Sequence, residues 1–336
     1  MSIDLPLIWA ILILFGVMMY VVMDGFDLGI GILYPLFPNK ADRDVMMNTV
    51  APVWDGNETW LVLGGAGLFV AFPLAYAVIL SAFYLPLIFM LVGLIFRGVA
   101  FEFRFKAPAH RQRFWDIAFA GGSYLATYFQ GVTLGAFLEG VPMREGQFVA
   151  GAFSWLAAFP LFVGLGLVSA YALLGATWLV MKTEGTLQER LRHHARILTW
   201  TLLLVIAAIS IWTPLSQPQV ARKWFSWPNM LLFSPVPVLV VACGVLLMRF
   251  LRDRRSQVMP FLLTLALVFL GYSGLGISLW PNVLPPSISI WEAAGPPQSL
   301  GFTLVGALLI VPITLAYTAW SYWVFRGKVR SGEGYH

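Results

Sequence analysis

Apolar residues run along this chain in long, nearly unbroken stretches, separated by short segments that hold most of the charges and many of the prolines. Divided at those breaks, the stretches are Leu5 to Phe37, Val50 to Phe72, Leu74 to Phe96, Trp115 to Leu138, Val149 to Met181, Ile197 to Trp212, Asn229 to Met248, Pro260 to Trp280 and Leu300 to Val324. Crossing the hydrocarbon as a helix takes about 20 mostly apolar residues. The expected fold is therefore all-α: a polytopic integral membrane protein of about nine transmembrane helices. Residues 1–336 are expected to form a single transmembrane helical domain, two packed helix bundles plus a peripheral helix. The first and fifth stretches exceed the length needed, so they must tilt, kink or project from the bilayer. The first begins at Leu5 after a segment without positive charge, and no small-residue cleavage pattern follows. It reads as a retained helix, not a removed signal peptide.

Charge fixes the expected orientation. With the N-terminus outside, the segments on one side carry 18 of the 21 Lys and Arg residues, and only Arg144, Arg222 and Lys223 fall on the other. Such a bias predicts an outer N-terminus and a cytoplasmic C-terminus. The same bias accounts for the net charge of +5, so nucleic acid has no claim as a partner.

Composition agrees with the pattern. Of the 336 residues 59% are hydrophobic and 11% charged, against roughly a quarter charged in a soluble domain. The 14 Trp and 26 Phe suit interfacial belts and lipid-facing surfaces. A single cysteine, Cys243, excludes a disulfide framework and a cysteine-held metal cluster. The outer segments Pro214 to Pro228 and Pro281 to Pro297, rich in Pro and Trp, are expected to form compact caps on the membrane surface.

Against this background, acids inside the apolar stretches stand out. Asp24 and Asp27 are the only charges between Leu5 and Phe37, and a carboxylate at bilayer depth costs roughly 2.5 to 3.5 kcal/mol. They lie at i and i+3 on one helix face. Gly25 and Gly29 allow a second helix to approach closely. Asp55 and Glu58 repeat the spacing at the start of the second stretch, and with the expected orientation both pairs converge on the cytoplasmic side of one bundle. Two acids placed together under burial suit a proton relay. The bland readings remain: Asp55 as a helix cap together with Asn57, and Asp24 and Asp27 as interhelical hydrogen-bonding glue. Phe96-Arg97-Gly98 and Phe101-Glu102-Phe103-Arg104 sit where the third stretch is expected to leave the membrane. Arg97 there either pairs with Asp55 or Glu58 or snorkels to the headgroups. Glu139 reads as an interfacial acid. His110, His193, His194 and His336 all fall in expected inner loops or the tail, so no helix offers a buried imidazole for haem. Phosphate loops, dinucleotide fingerprints and nucleophile elbows do not occur. No metal site is expected; His193-His194 point to different faces.

Three stretches resemble subunit II of the cytochrome bd-type quinol oxidases, including their cyanide-insensitive branch. They are Asp24-Gly25-Phe26-Asp27-Leu28-Gly29, Ala51-Pro52-Val53-Trp54-Asp55-Gly56-Asn57-Glu58-Thr59-Trp60, and Phe96-Arg97-Gly98-Val99-Ala100-Phe101-Glu102-Phe103-Arg104. The resemblance is specific over the first 140 residues and topological beyond them. It implies a heterodimer in a bacterial cytoplasmic (inner) membrane, in which subunit I holds the haems, of b and d type or b type alone, and oxidises quinol while reducing dioxygen to water. This chain is then the haem-free partner, with no complete active site of its own and no cofactor bound by it alone. Its matched acids look like part of a cytoplasmic proton path, with Asp55 foremost and Glu58, Asp24 and Asp27 behind it. Arg97, Glu102 and Arg104 resemble a supporting charge network, and Trp60 a lining of an oxygen route. A small single-helix subunit, membrane lipids and a structural quinone or lipid are further partners that the resemblance leaves room for. The competing readings are an ion-coupled secondary transporter and a purely structural membrane partner.

Overall fold

The computed structural model describes residues 3–144, 147–330 and 332. Thirteen α-helices occur among them: α1 (Leu5–Leu33), α2 (Lys40–Asn48), α3 (Trp54–Ala71), α4 (Pro73–Ala82), α5 (Tyr84–Phe103), α6 (Ala109–Glu139), α7 (Ala158–Lys182), α8 (Gly185–Ser216), α9 (Pro218–Phe225), α10 (Asn229–Phe233), α11 (Pro235–Arg252), α12 (Met259–Leu279) and α13 (Pro297–Val324). Two antiparallel ribbons, β1 (Met143–Arg144) with β2 (Gln147–Phe148) and β3 (Asn282–Leu284) with β4 (Ile288–Ser289), are the strands described. Seven helical segments, those containing α1, α5, α7, α8, α10 with α11, α12 and α13, are long and apolar enough to cross a membrane. The helices α3 and α6 hold the remaining two expected crossings but fall outside that group. Their polar and glycine content dilutes the hydropathy.

Element boundaries correct the sequence reading in physically sensible places. The first helix starts where Asp4 accepts the Leu7 amide at 3.1 Å and Pro6 fills the first turn. It ends at Leu33, and Pro35 lies in a 3₁₀ turn over Tyr34–Leu36. The third expected helix is two helices broken at Phe83, so its main rod runs on to Phe103 and carries Arg97 inside it rather than at an exit. The fifth begins at Ala158 instead of Val149, because the preceding residues form β2 and turns. The sixth begins at Gly185 and takes His193 and His194 into a helix. His110 likewise sits in the first turn of α6. The Pro281 to Pro297 segment folds back on the bundle, where the Val141 amide donates to the Pro285 carbonyl at 3.0 Å and the Gly295 amide to that of Ala71 at 2.9 Å, whereas the Pro214 to Pro228 segment is largely helical, in the end of α8 and in α9.

Helix α1 occupies the centre, packed on α3, α6 and α7, with α5 beside α6 and with α8, α11 and α12 beyond α7. Its central position depends on glycine. A Cβ on Gly29 would lie 1.8 Å from the Tyr171 carbonyl oxygen, so the α1 and α7 backbones touch. One large apolar cluster surrounds the second half of α1, from Phe26 to Tyr34, and extends through α5, α6, α7 and α8. A smaller one joins Trp9, Phe72, Phe83 and Leu300 at the other end. Helix α13 contributes only Leu300 to the buried part of these clusters and packs Leu304, Ala307 and Tyr322 against them.

Candidate functional site

The packing of α1 on α3, α6 and α7 leaves no exposure to the side chains of Asp24 and Asp27. Asp24 meets Arg97, which comes from α5 and is likewise fully buried; Nη1 donates to Oδ1 at 2.6 Å. The other terminal nitrogen of Arg97 is bonded to Glu58 of α3, whose side chain is 28% exposed. One planar fork thus holds two carboxylates from two helices. Asp27 accepts from Asn57 Nδ2 at 2.8 Å, and Asn57 Oδ1 accepts from the Tyr322 hydroxyl at 2.9 Å. One turn before Asp24 on the same face, Tyr20 accepts from Gln130 at 2.6 Å, and Gln130 Oε1 accepts from Tyr171 at 3.2 Å. Five helices, α1, α3, α5, α6 and α7, and the end of α13 therefore converge on one polar centre.

Charge bookkeeping makes this centre unusual. Asp24, Asp27 and Glu58 face the single guanidinium of Arg97, so the cluster is neutral only when it carries two protons (three acids less one base). Asp24 Oδ2, Asp27 Oδ1 and Arg97 Nε are buried without a protein partner. Buried polar atoms are otherwise nearly always satisfied, so the protein's own groups leave this centre incompletely bonded.

The other expected site residues divide. Asp55 is exposed in the first turn of α3, and no side-chain cap bond closes that helix end; Val53, not Asp55, is the capping residue. It stands one turn outside Glu58 and does not bond Arg97, so the expected choice between Asp55 and Glu58 falls to Glu58. Snorkelling of Arg97 is excluded by its burial. Arg104 is buried at 2% exposure but joins a different centre: Nε to Asp116 at 2.5 Å and Nη1 to Asp44 at 2.6 Å, with Arg43 on Asp116 at 2.9 Å. That centre ties α2, α5 and α6 together. Glu102 is exposed and meets only Lys106 at 3.5 Å, which places it outside both buried centres. Trp60 is fully buried, Phe15 stands edge-on at 5.8 Å, and its indole nitrogen has no protein partner. Glu139 is exposed at the end of α6.

Sequence reasoning missed Tyr322, Gln130, Asp44 and Asp116. Gln130 and Tyr322 lie in apolar stretches where a lone amide or phenol carries little signal. The described histidines are surface or half-buried, His194 packing on Phe37 with ring centroids 5.5 Å apart; His336 lies outside the described residues. No group of three His, Cys, Asp or Glu side chains able to hold a metal occurs among the described residues. An apolar groove of about 1650 Å³ opens between α1, α8, α11 and α12, lined by Val17, Leu203, Val240 and Leu267 and bordered by Arg249 and Arg252.

Comparison with known proteins follows the same outline. The family model for cytochrome bd terminal oxidase subunit II matches residues 5–325. Cytochrome bd-I ubiquinol oxidase subunit 2 of Escherichia coli (strain K12) is 32% identical over 368 residues, covering 97% of this chain and 95% of that one. Cytochrome bd ubiquinol oxidase subunit 2 of Bacillus subtilis (strain 168) is 28% identical over 335 residues, covering 97% of both. Among solved structures, a chain of the bd oxidase from Geobacillus thermodenitrificans superposes with a TM-score of 0.77 at 18% identity, covering 96% of this chain and 100% of that chain. That last likeness is one of fold.

Proposed function

Because this chain belongs to the cytochrome bd terminal oxidase subunit II family, we propose that it is the second, haem-free subunit of a quinol-oxidising, dioxygen-reducing complex and gives that complex a route for cytoplasmic protons. The observation that carries this is the cluster of three carboxyls around one buried guanidinium, with Asp24 and Glu58 bonded to Arg97 and Asp27 beside them on Asn57. Dioxygen reduction to water consumes protons, and a protein interior conducts them only along groups that can hold and release them. A scaffold needing only cohesion would do as well with apolar side chains, since replacing a buried ion pair by packed hydrophobes is often neutral or stabilising.

In this reading Asp55, exposed on the first turn of α3, takes the proton, and Glu58, one turn further along the helix, receives it. Arg97 keeps Glu58 and Asp24 in one bonded unit, and Asp27 with Asn57 extends it. Glu102 and the Arg104 centre support the fold around the route rather than carry protons. Haems and the quinol site belong to subunit I, and Trp60 lines a path for dioxygen. The chain crosses the bacterial cytoplasmic membrane nine times as one domain, N-terminus outside, with α3 and α6 as the two less apolar crossings. The groove beside Val240 has the volume and apolar walls for the tail of a lipid or structural quinone.

The test uses the intact complex. Asp55→Asn, Glu58→Gln and Asp24→Asn should each lower oxygen consumption by about tenfold or more, at unchanged haem content. Wild-type turnover and an unchanged pH profile in all three overturn the proton route. Visible haem absorbance on the isolated chain overturns the haem-free assignment.

A further inference from the structure

The inference concerns the chain end, and its functional half rests on the proton-uptake reading above. Helix α13 is poorly held along its length: Leu300 is its one buried residue, while Phe302, Ile313, Tyr317 and Trp320 are all more than 60% exposed. Yet near its C-terminus Tyr322 reaches the buried centre and donates to Asn57. Its ring stands edge-on to Phe26 and Trp178, at 6.4 and 6.0 Å.

What holds this end is a reciprocal clamp with the end of α7. Lys182, 8% exposed and lying over the Trp178 ring at 5.0 Å, donates Nζ to the Phe325 carbonyl at 2.8 Å. The chain then turns at Gly327, whose φ of 110° favours glycine. Returning over α7, Lys328 donates to the Thr183 carbonyl at 2.6 Å and the Val329 amide to that of Lys182 at 2.9 Å. Arg330 pairs with Glu184 at 2.9 Å. Each helix end thus satisfies terminal carbonyls of the other, groups that a helix alone leaves without donors.

We propose that this C-terminal clamp seats Tyr322 as a positioning residue, fixing the Asn57 amide so that its nitrogen faces Asp27. An amide has one acceptor and one donor end. With Oδ1 taken by the Tyr322 hydroxyl, Nδ2 is committed to the Asp27 carboxyl. The charged and titratable groups facing Asp27 are Asp24 on its own helix, Glu58 on α3, Arg97 on α5 and Tyr322 on α13. Tyr322 is the one among them that reaches the centre from a weakly packed helix, so the clamp ties the order of the cluster to the chain end.

The experiment compares Tyr322→Phe, Gly327→Val and a chain ending at Arg326 with the wild type, all in the full complex. Two quantities are read: the pH profile of quinol-driven oxygen consumption, and amide hydrogen exchange at residues 54–60 measured by mass spectrometry. All three variants should shift the profile by about half a unit, the scale of one hydrogen bond, in the same sense as Asn57→Ala and at unchanged haem content. The two clamp variants should also raise exchange several-fold. If Asp27→Asn moves the profile but Tyr322→Phe and the shortened chain do not, the inference is overturned and the proton route stands. If Asp27→Asn leaves the profile unmoved, the functional half of the inference is overturned while the route through Asp55, Glu58 and Asp24 is judged by its own variants; exchange then decides the clamp, which raised values support and wild-type values overturn. Should the shortened chain fail to assemble, Lys328→Met and Tyr322→Phe give the same reading.

Discussion

Gly29 and Gly175 press the backbones of α1 and α7 together: a Cβ on Gly175 would lie 2.5 Å from the carbonyl carbon of Gly29, and one on Gly29 would lie 2.9 Å from the Gly175 amide nitrogen. This contact sits less than two turns beyond Asp24, so it sets how tightly the acid-bearing face is closed.

Adding a methyl at either position therefore pushes the helices apart. Gly29→Ala is expected to destabilise the subunit by about 1–3 kcal/mol or more, because the obstacle is backbone that cannot rotate away. A lower thermal midpoint of the detergent-purified complex is the measurement. Gly65→Ala, on α3 with no atom near its built Cβ, serves as the control that leaves it unchanged.

Removal of the central base should be worse than removal of the base and an acid together. Arg97→Leu leaves Asp24 and Glu58 facing each other without a cation, a change worth about 3–5 kcal/mol when a buried pair is broken. Adding Asp24→Leu restores part of that loss. Complex yield and thermal midpoint of both single variants and the double variant decide it; a double loss equal to the sum of the two single losses would show that the two groups do not interact.

The second buried centre predicts a different signature. Arg104→Ala removes the guanidinium that Asp44 and Asp116 share, with an expected cost of about 2–3 kcal/mol because those carboxylates are partly solvated. Turnover per assembled complex should keep its wild-type pH profile. By contrast Glu102→Gln, which loses only an exposed i, i+4 pair, should change stability by less than about 0.5 kcal/mol.

Outside the membrane helices, Glu292 accepts from the Ser289 amide at 2.7 Å and from its hydroxyl at 2.8 Å, and these bonds hold its carboxyl below the usual carboxylate range. A folded-state value below the unfolded one means the contribution is present above the ordinary carboxylate range and lost as pH falls through the lowered value. Glu292→Gln should therefore loosen the β3–β4 cap at neutral pH and make no difference in strong acid. Proteolysis of the 281–296 segment, followed against pH, checks this.

Much of the fold and part of the site were legible in the chain. Apolar length gave the helices because lipid leaves a backbone few alternatives, and the i, i+3 spacing of Asp24 and Asp27 put both on the face that packs against protein. Boundaries were read less well at Phe83, Ala158 and Gly185, where a helix break, a ribbon and a charged helical extension interrupt or prolong an apolar run without a clear change in composition. Asp55 and Glu58 have the same spacing and similar chemistry, yet one is exposed and the other bonded to Arg97. They share a face of α3, and their depth along it, one turn apart, separates them.

By itself the sequence determined that helices would form, that acids would be carried into apolar surroundings, and that glycines would let the acid-bearing face meet a neighbour, since each follows from local periodicity and solvent preference. Tertiary structure alone decided the partners: Arg97 to Asp24 across 73 positions, Arg104 away from that centre to Asp116, and Tyr322 to Asn57 across 265. Hydrogen bonds between side chains depend on angstrom-scale distances between helix faces, which are set by how every helix packs at once and by no short stretch of residues.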